Sequence, residues 1–143
     1  MLILLGDRTG WMGFVDAEYL GIRTVVMKTR CLISCENEVM ILGLSSLLRA
    51  QNDFEWVGIP MGKNVELKAL VDQYRPDVLV IDRQNRYYQY LFCLLPIFQY
   101  PDLVVIVVEL EQNQIQIHRN GQVILSNNAN LIPAIRNRGS IHS

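Results

Sequence analysis

An uninterrupted apolar run, Val78–Ile81, constrains the fold of this chain more than any other segment. Arg75-Pro76 lie just before it and should end a helix, because the residue before a proline disfavours the helical conformation. A run that is apolar at every position indicates a strand buried on both faces, which is typical of a parallel sheet covered by helices. The run ends on Asp82. Since open α/β sheets bind ligands beyond the carboxyl ends of their strands, Asp82 is expected at a functional site.

Strand and helix patterns alternate along the middle of the chain. In order, strand patterns cover 31–34, 54–59, 78–81 and 103–108, and helical patterns cover 38–50, 64–74 and 87–98. Asn64 is expected to cap the second helix, and Pro96 to break the last turn of the third. The first helix has one wide apolar face made of Val39, Ile41, Leu42, Leu44, Leu47 and Leu48. The alternation predicts a doubly wound α/β sheet with right-handed crossovers and helices on both faces.

The pattern changes after residue 108. Gln114–Ile117 alternates polar and apolar residues, and Asn120-Gly121 separates it from the apolar run Val123–Leu125. Asn-Gly between two such runs predicts an antiparallel hairpin, because both residues tolerate positive φ angles. Asn130 is then expected to cap a final helix.

The first residues of the chain differ from the rest. Glycines interrupt residues 1–27, and no sustained hydrophobic period is present. We interpret 1–27 as an N-terminal extension, with Met27 as a hypothetical biological start, and 28–138 as one domain followed by a tail at 139–143. The alternative for the extension is an ordered extra strand centred on Thr24–Val26.

Composition limits the possible functions. The chain has 143 residues, of which 50% are hydrophobic and 19% charged, with a formal net charge of −1. This balance suits one domain, and no basic excess points to nucleic acid. The apolar runs are too short for a membrane-spanning helix, and Leu2–Leu5 lacks the basic flank of a secretory signal. A cytoplasmic protein without membrane or nucleic-acid partners is therefore expected.

The three cysteines, Cys31, Cys35 and Cys93, are odd in number and form no Cys-x-x-Cys motif. This spacing supports neither a disulfide framework nor a zinc site. Because all three lie in apolar stretches, we expect them to be reduced and buried.

Several segments taken together are similar to response-regulator receiver domains. They are 30–38, 44–48, 54–58, 75–82 and 101–106, and the similarity extends over roughly residues 28–110. Their order and spacing are more specific than any one motif. The resemblance implies a flavodoxin-like, mainly parallel five-stranded sheet, in which the hairpin predicted above would replace the fourth helix.

The resemblance also implies a site. Receivers accept a phosphoryl group on the aspartate that ends the third strand, which matches Asp82. Their pair of acidic residues after the first strand binds Mg²⁺ together with this aspartate, and Cys35 and Glu36 match the pair. A thiol is a poor magnesium ligand, so one member of the pair is lost.

Two further receiver positions also differ. A serine or threonine that ends the fourth strand binds the phosphoryl oxygens, and Glu109 matches it. A carboxylate there would repel an incoming dianion. The lysine that ends the fifth strand matches Ser126-Asn127 or a near neighbour, and no lysine follows Lys68. The cation that would compensate the phosphoryl charge is therefore missing.

These differences predict a pseudo-receiver without enzymatic activity or resident cofactor, acting as a regulatory module that binds a protein partner or a second copy of itself. Glu36, Asp82 and Glu109 would form an acidic pocket. One alternative is a working receiver phosphorylated on Asp82 with Mg²⁺. Another is a domain that binds a small ligand or a metal, with Glu36 and Asp82 as the ligands. In the plainest alternative, Asp82 caps the next loop or pairs with Arg83 or Arg86.

Four other features carry weaker functional hypotheses. Gly58–Asn64 resembles a phosphate-binding loop but is one residue short. His118 and His142 are expected at the surface. The aromatic residues of 87–100 are expected to pack against the sheet, with a partner surface as the alternative. The hairpin is a second candidate surface, since an uncovered edge strand can pair with another copy.

Overall fold

The computed structural model describes residues 2–6, 12–16, 28–62 and 66–139. Within these ranges the chain forms one eight-stranded sheet and four α-helices. The elements are β1 (Leu2–Gly6), β2 (Met12–Asp16), β3 (Thr29–Ser34), α1 (Glu38–Arg49), β4 (Phe54–Gly58), α2 (Leu67–Tyr74), β5 (Val78–Asp82), α3 (Leu91–Leu94), β6 (Val104–Glu109), β7 (Gln114–Arg119), β8 (Gln122–Asn127) and α4 (Leu131–Arg136). Short 3₁₀ turns, Tyr88–Tyr90 and Asn128–Asn130, precede α3 and α4.

The sheet is mixed, with a parallel centre and antiparallel edges. Its strand order is β1-β2-β4-β3-β5-β6-β7-β8. The β3–β4, β3–β5 and β5–β6 pairs are parallel, and the other four pairs are antiparallel. The prediction of an α/β domain is confirmed, whereas the prediction of a mainly parallel five-stranded sheet is wrong. Two causes add: β1 and β2 join one edge in antiparallel pairs, and a tight turn after β6, instead of a crossover helix, reverses the chain at the other edge.

Helices cover both faces of the sheet. Side chains of α1 and α4 pack on one face, and side chains of α2 and α3 pack on the other. Successive residues of the central strands alternate between the two cores: Leu32 lies in one and Ile33 in the other. Every residue of β5 is buried, as the apolar run predicts.

The apolar face of α1 is wider than the sheet can cover. Ile41, Leu44 and Leu48 are buried against the sheet. Val39, Leu42 and Leu47 are exposed, so only part of the predicted wide apolar face is buried. The reason is geometric, since only a stripe about 100° wide on a helix of 3.6 residues per turn can face a core.

The predicted helix 87–98 is wrong in length. Only α3, a single turn, is α-helical, and Pro96 follows it closely. Tyr87, Tyr88 and Tyr100 are half-buried against the sheet, as predicted, but Tyr90 and Phe98 are exposed. Proline cannot continue a helix, and the residue before it avoids helical angles, so the segment is confined to short turns.

Two strands come from the first 27 residues. β1 and β2 pair with each other, and β2 continues onto β4 through Met12–Trp56 and Gly13–Glu55. Neither strand is predicted by the sequence pattern. The alternative strand at Thr24–Val26 and the Asn64 cap lie outside the described residues; Glu66 precedes the first residue of α2.

The predicted hairpin is present as β7 and β8. Asn120 and Gly121 form its two-residue turn, with φ angles of 50° and 76°. Ile115 and Ile117 are buried in the core under α4. Asn130 lies at the N-cap position of α4, but its side chain donates to Ser126 Oγ at 2.7 Å and not into the helix, so the predicted cap is not formed.

Candidate functional site

Asp82 ends β5 between the two neighbouring parallel strands, β3 and β6. It is only 2% exposed. Its Oδ1 accepts a long hydrogen bond from the backbone N–H of Glu36, at 3.4 Å, and its Oδ2 has no hydrogen-bond partner in the described part of the chain. Burial raises the pKa of the Asp82 carboxyl above its ordinary value, with the nearby Glu36 charge adding to the effect.

A cleft of about 440 Å³ opens beside Asp82, at the carboxyl ends of β5 and β6. It is lined by Asn37, Met40, Asp82, Arg83, Gln84, Val108, Glu109, Leu110 and Glu111. Three of these residues are acids and one is a base. The cleft therefore carries negative potential at the sheet edge where α/β proteins bind ligands.

Glu36 lies just past the end of β3 and is held by Arg86. Arg86 Nε and Nη2 donate to the two carboxylate oxygens at 3.0 and 3.3 Å, and the Arg86 backbone N–H adds a bond of 3.2 Å. These bonds lower the pKa of Glu36. Arg86 Nη2 also donates to the carbonyl of Met61 at 3.1 Å. One arginine thus links the loops that follow β3, β4 and β5.

Glu109 ends β6 and is held by Arg83. The Arg83 Nη1–Glu109 Oε2 distance is 2.9 Å, and the guanidinium lies 5.7 Å from the centre of the Tyr88 ring. The Tyr88 hydroxyl donates to Gln116 Oε1 at 3.0 Å. The alternative in which Arg83 or Arg86 pairs with Asp82 is wrong, because the ion pairs of both arginines go to the two neighbouring glutamates.

Asn85 is a site residue that the sequence analysis missed. Its buried side chain donates to the Ser34 carbonyl at 3.1 Å and accepts from the Tyr87 N–H at 2.9 Å. Its own N–H bonds to the Asp82 carbonyl at 3.1 Å. The amide therefore fastens the loop after β5 to the end of β3. An asparagine in the polar run after a strand is the signal for such a loop, since its side chain readily bonds nearby backbone.

The cysteines differ in exposure. Cys31 and Cys35 are buried and Cys93 is exposed, so the prediction of three buried thiols is wrong for Cys93. Burial, together with the nearby Asp82 charge, raises the pKa of Cys35 to about 12. Cys35 is therefore a neutral thiol at physiological pH and a weak ligand for a hard cation.

The three predicted acids lie at one edge of the sheet, but of these only Asp82 and Glu109 line the cleft. Glu36, Asp82 and Glu109 follow three adjacent parallel strands, as the receiver pattern implies. Within the described ranges, no three or more His, Cys, Asp or Glu side chains are arranged to hold a metal ion.

Ser126-Asn127, the position expected for the receiver lysine, lies at the end of β8. β7 separates this segment from β6, and the residue that pairs with Glu109 is Gln114. Ser126-Asn127 therefore lies one strand too far from the cleft to match the receiver lysine, because β7, and not β8, is the strand beside β6.

Among the remaining candidates, none of the residues that the structure describes lines this cleft. Lys63 and Asn64 of the phosphate-loop candidate are outside the described residues, as is His142. His118 is half-buried on β7, 3.2 Å from Gln116 Oε1, and burial lowers its pKa. It is thus not the solvated surface residue that the sequence predicts.

Comparisons with protein-family models, with curated proteins and with solved structures find no match to this chain. In the described part of the chain, no helix is long and apolar enough to cross a membrane.

Proposed function

We propose that this protein is a pseudo-receiver, a cytoplasmic regulatory module of signal transduction that works by binding another protein and not by catalysis. Its parallel strands support the assignment. They lie in the order β4-β3-β5-β6, which in chain order is the 2-1-3-4 arrangement of flavodoxin-like domains. Asp82 ends the third of these strands, at the position of the receiver phosphoacceptor.

The charge around Asp82 carries the proposal. A phosphoryl group on Asp82 Oδ2 would bring a second negative charge into a cleft that already contains Glu109 and Glu111. Arg83, the basic residue among those that line the cleft, already forms an ion pair with Glu109. Like charges at close range in a partly buried cleft repel strongly, so the phosphorylated form would be disfavoured.

The direction of β7 removes the usual source of a compensating cation. A fifth parallel strand beside β6 would bring its carboxyl end, and any residue after it, next to the cleft. β7 is antiparallel, so its first residue, Gln114, occupies that place. The end of β8 is two strand spacings from β6, roughly 10 Å away. A short residue such as Ser126 does not span that distance.

The loop after β5 gives the second support for the proposal, because hydrogen bonds and ion pairs hold it in place. Asn85, Arg83 and Arg86 bind it to the ends of β3 and β6 without any phosphoryl group or metal. A working switch needs two states of such a loop that differ little in free energy. The existing contacts favour one state, which suits a constitutive binding surface.

Incubation with a small phosphodonor and Mg²⁺, followed by mass spectrometry of the intact protein, tests the proposal. We expect no phosphoryl adduct under conditions that label an active receiver in the same tube. Asp82→Asn is the matched control. A mass gain that occurs in the native protein and is lost in Asp82→Asn would establish the alternative, a phosphorylatable receiver that uses Mg²⁺.

One observation favours a second function, small-ligand or metal binding. The unpartnered Oδ2 of Asp82 belongs to a side chain that lines the 440 Å³ cleft. Glu36 would be the second oxygen ligand, but only after it is released from Arg86. Calorimetric titration with Mn²⁺ or Ca²⁺ tests this function. Binding that is abolished in Asp82→Asn and strengthened in Arg86→Ala would support it, and equal heats in all three proteins would exclude it.

A further inference from the structure

The last strand of the sheet, β8, has an apolar and open outer edge. Val123, Ile124 and Leu125 are 48%, 40% and 61% exposed. β8 pairs with β7 on one side, and no described strand pairs with it on the other. Large exposed apolar side chains on an unpaired strand indicate an interaction surface.

The sequence of this strand has neither the charged residues nor the proline that commonly keep edge strands apart. No charged residue occurs between Arg119 and Arg136, and Pro133 lies beyond the strand. Natural sheets protect exposed edges with lysines, prolines, bulges or covering loops. Pairing of this strand with a copy of itself would place no like charges opposite each other.

The hairpin geometry determines which backbone groups point outward. Arg119 and Gln122 flank a two-residue turn and form the closing hydrogen-bonded pair of the hairpin. Bonded and non-bonded pairs alternate along an antiparallel ladder, so Ile124 directs its N–H and C=O toward β7. Val123 and Leu125 direct theirs away from the sheet.

The side chains of β8 are self-complementary. Gln122–Ser126 reads polar, apolar, apolar, apolar, polar and is symmetric about Ile124. In an antiparallel pair of two copies centred on this residue, Ile124 lies opposite its own mate and Val123 opposite Leu125. The outward N–H and C=O groups of Val123 then face those of Leu125 in the other copy and can bond to them. The same register also places apolar side chains opposite apolar ones.

The geometry points to a second copy of this chain as the partner of β8, bound by antiparallel strand pairing about a two-fold axis at Ile124. The two sheets become one continuous sheet, and the interface is isologous. Two short strands bury little area, so the dimer is weak and depends on concentration. This inference does not rest on the state of Asp82 or on the proposed pseudo-receiver function.

Sedimentation of the full chain over a concentration series tests the inference. The native protein shifts from one 16.5 kDa chain toward a dimer as its concentration rises. Ile124→Lys and Ile124→Glu are each monomeric, because either change puts like charges directly opposite each other. An equimolar mixture of the two variants restores the dimer, since Lys then faces Glu. Leu42→Lys, at a 68% exposed position on α1, remains dimeric.

Circular dichroism of each variant confirms that it is folded, and a cross-link tests the register. In a Cys93→Ser background, Ile124→Cys forms a disulfide between copies on oxidation, since non-bonded antiparallel pairs bring Cα atoms within disulfide range. Leu42→Cys does not. A native protein that is monomeric throughout, folded Ile124 variants that still dimerise, or a mixture that stays monomeric would each overturn the inference.

Discussion

Replacing Asp82 with asparagine should stabilise the protein at neutral pH. The carboxylate is 2% exposed, and one of its oxygens has no partner in the described structure. Asparagine keeps the volume of the side chain and the Oδ1 that accepts from the Glu36 N–H, while removing the buried charge. Each unit by which burial raises the Asp82 pKa corresponds to about 1.4 kcal/mol.

The asparagine amide introduces a cost of its own, because a buried N–H group takes the place of the unpartnered Oδ2. A neutral unpaired group costs about 1–3 kcal/mol, which is less than an unpaired charge in the same place. We therefore expect a net gain of about 1–2 kcal/mol in the free energy of unfolding. For a chain of this length that corresponds to a melting temperature roughly 2–6 °C higher.

The raised pKa of Asp82 also determines the direction in which the stability of the native protein changes with pH. Between the ordinary pKa of 3.8 and the raised pKa of Asp82, the folded protein binds more protons than the unfolded chain. The stability of the native protein therefore falls as pH rises through this window. Asp82→Asn lacks this titration, so its advantage is greatest at neutral pH and disappears in acid, where Asp82 is protonated in both states.

Urea unfolding of both proteins across a pH series measures this difference. Asp102→Asn, at an exposed position before β6, is the matched control and should change stability little. An Asp82→Asn protein that is no more stable than the native one at neutral pH would refute the reasoning. So would an advantage that increases on acidification, because a buried carboxylate with a raised pKa cannot produce that sign.

Other changes test different parts of the structure. Gly43→Ala should stabilise the protein by about 0.5–1 kcal/mol in thermal unfolding, because Gly43 lies inside α1 and an added Cβ meets nothing within 4 Å. Gly58→Ala should cost about 1–3 kcal/mol, since its Cβ would lie 2.6 Å from Ile41 Cγ2; equal effects of the two changes would contradict the packing of α1. Arg86→Ala should lower the stability only slightly at neutral pH, because solvent screens its partly exposed ion pair with Glu36. Arg86 lowers the pKa of Glu36, so this loss should vanish as pH falls through that pKa, and a loss that persists in acid would argue against the ion pair as its cause.

The sequence predicts the centre of this fold well because burial dominates there. The run Val78–Ile81 indicates a strand covered on both sides, and the structure buries every residue of β5. Asn120-Gly121 likewise determines the hairpin through local backbone preference. The edges are less predictable. The pairing of β2 with β4 depends on long-range hydrogen bonds that leave no local pattern in residues 1–27.

The candidate site is predictable in position but not in its contacts. The strand pattern places Asp82 at the functional edge of the sheet, and the resemblance to receiver domains adds Glu36 and Glu109. The choice of partner by each arginine depends on the path of the loop after β5, which Asn85 sets through its bond to Ser34. A single buried amide carries no periodic signal, so sequence reasoning treats the neighbouring arginines as equivalent partners for Asp82.

Arg83 and Arg86 lie on the same short loop, and this couples two carboxylates that follow different strands, Glu109 after β6 and Glu36 after β3. Any ligand that draws the loop outward withdraws both guanidinium groups in one movement. Both ion pairs would then be lost together, and this cost keeps the loop, and the surface that it presents, in one position. A partner that needed either glutamate free would therefore have to compensate for the loss of both pairs.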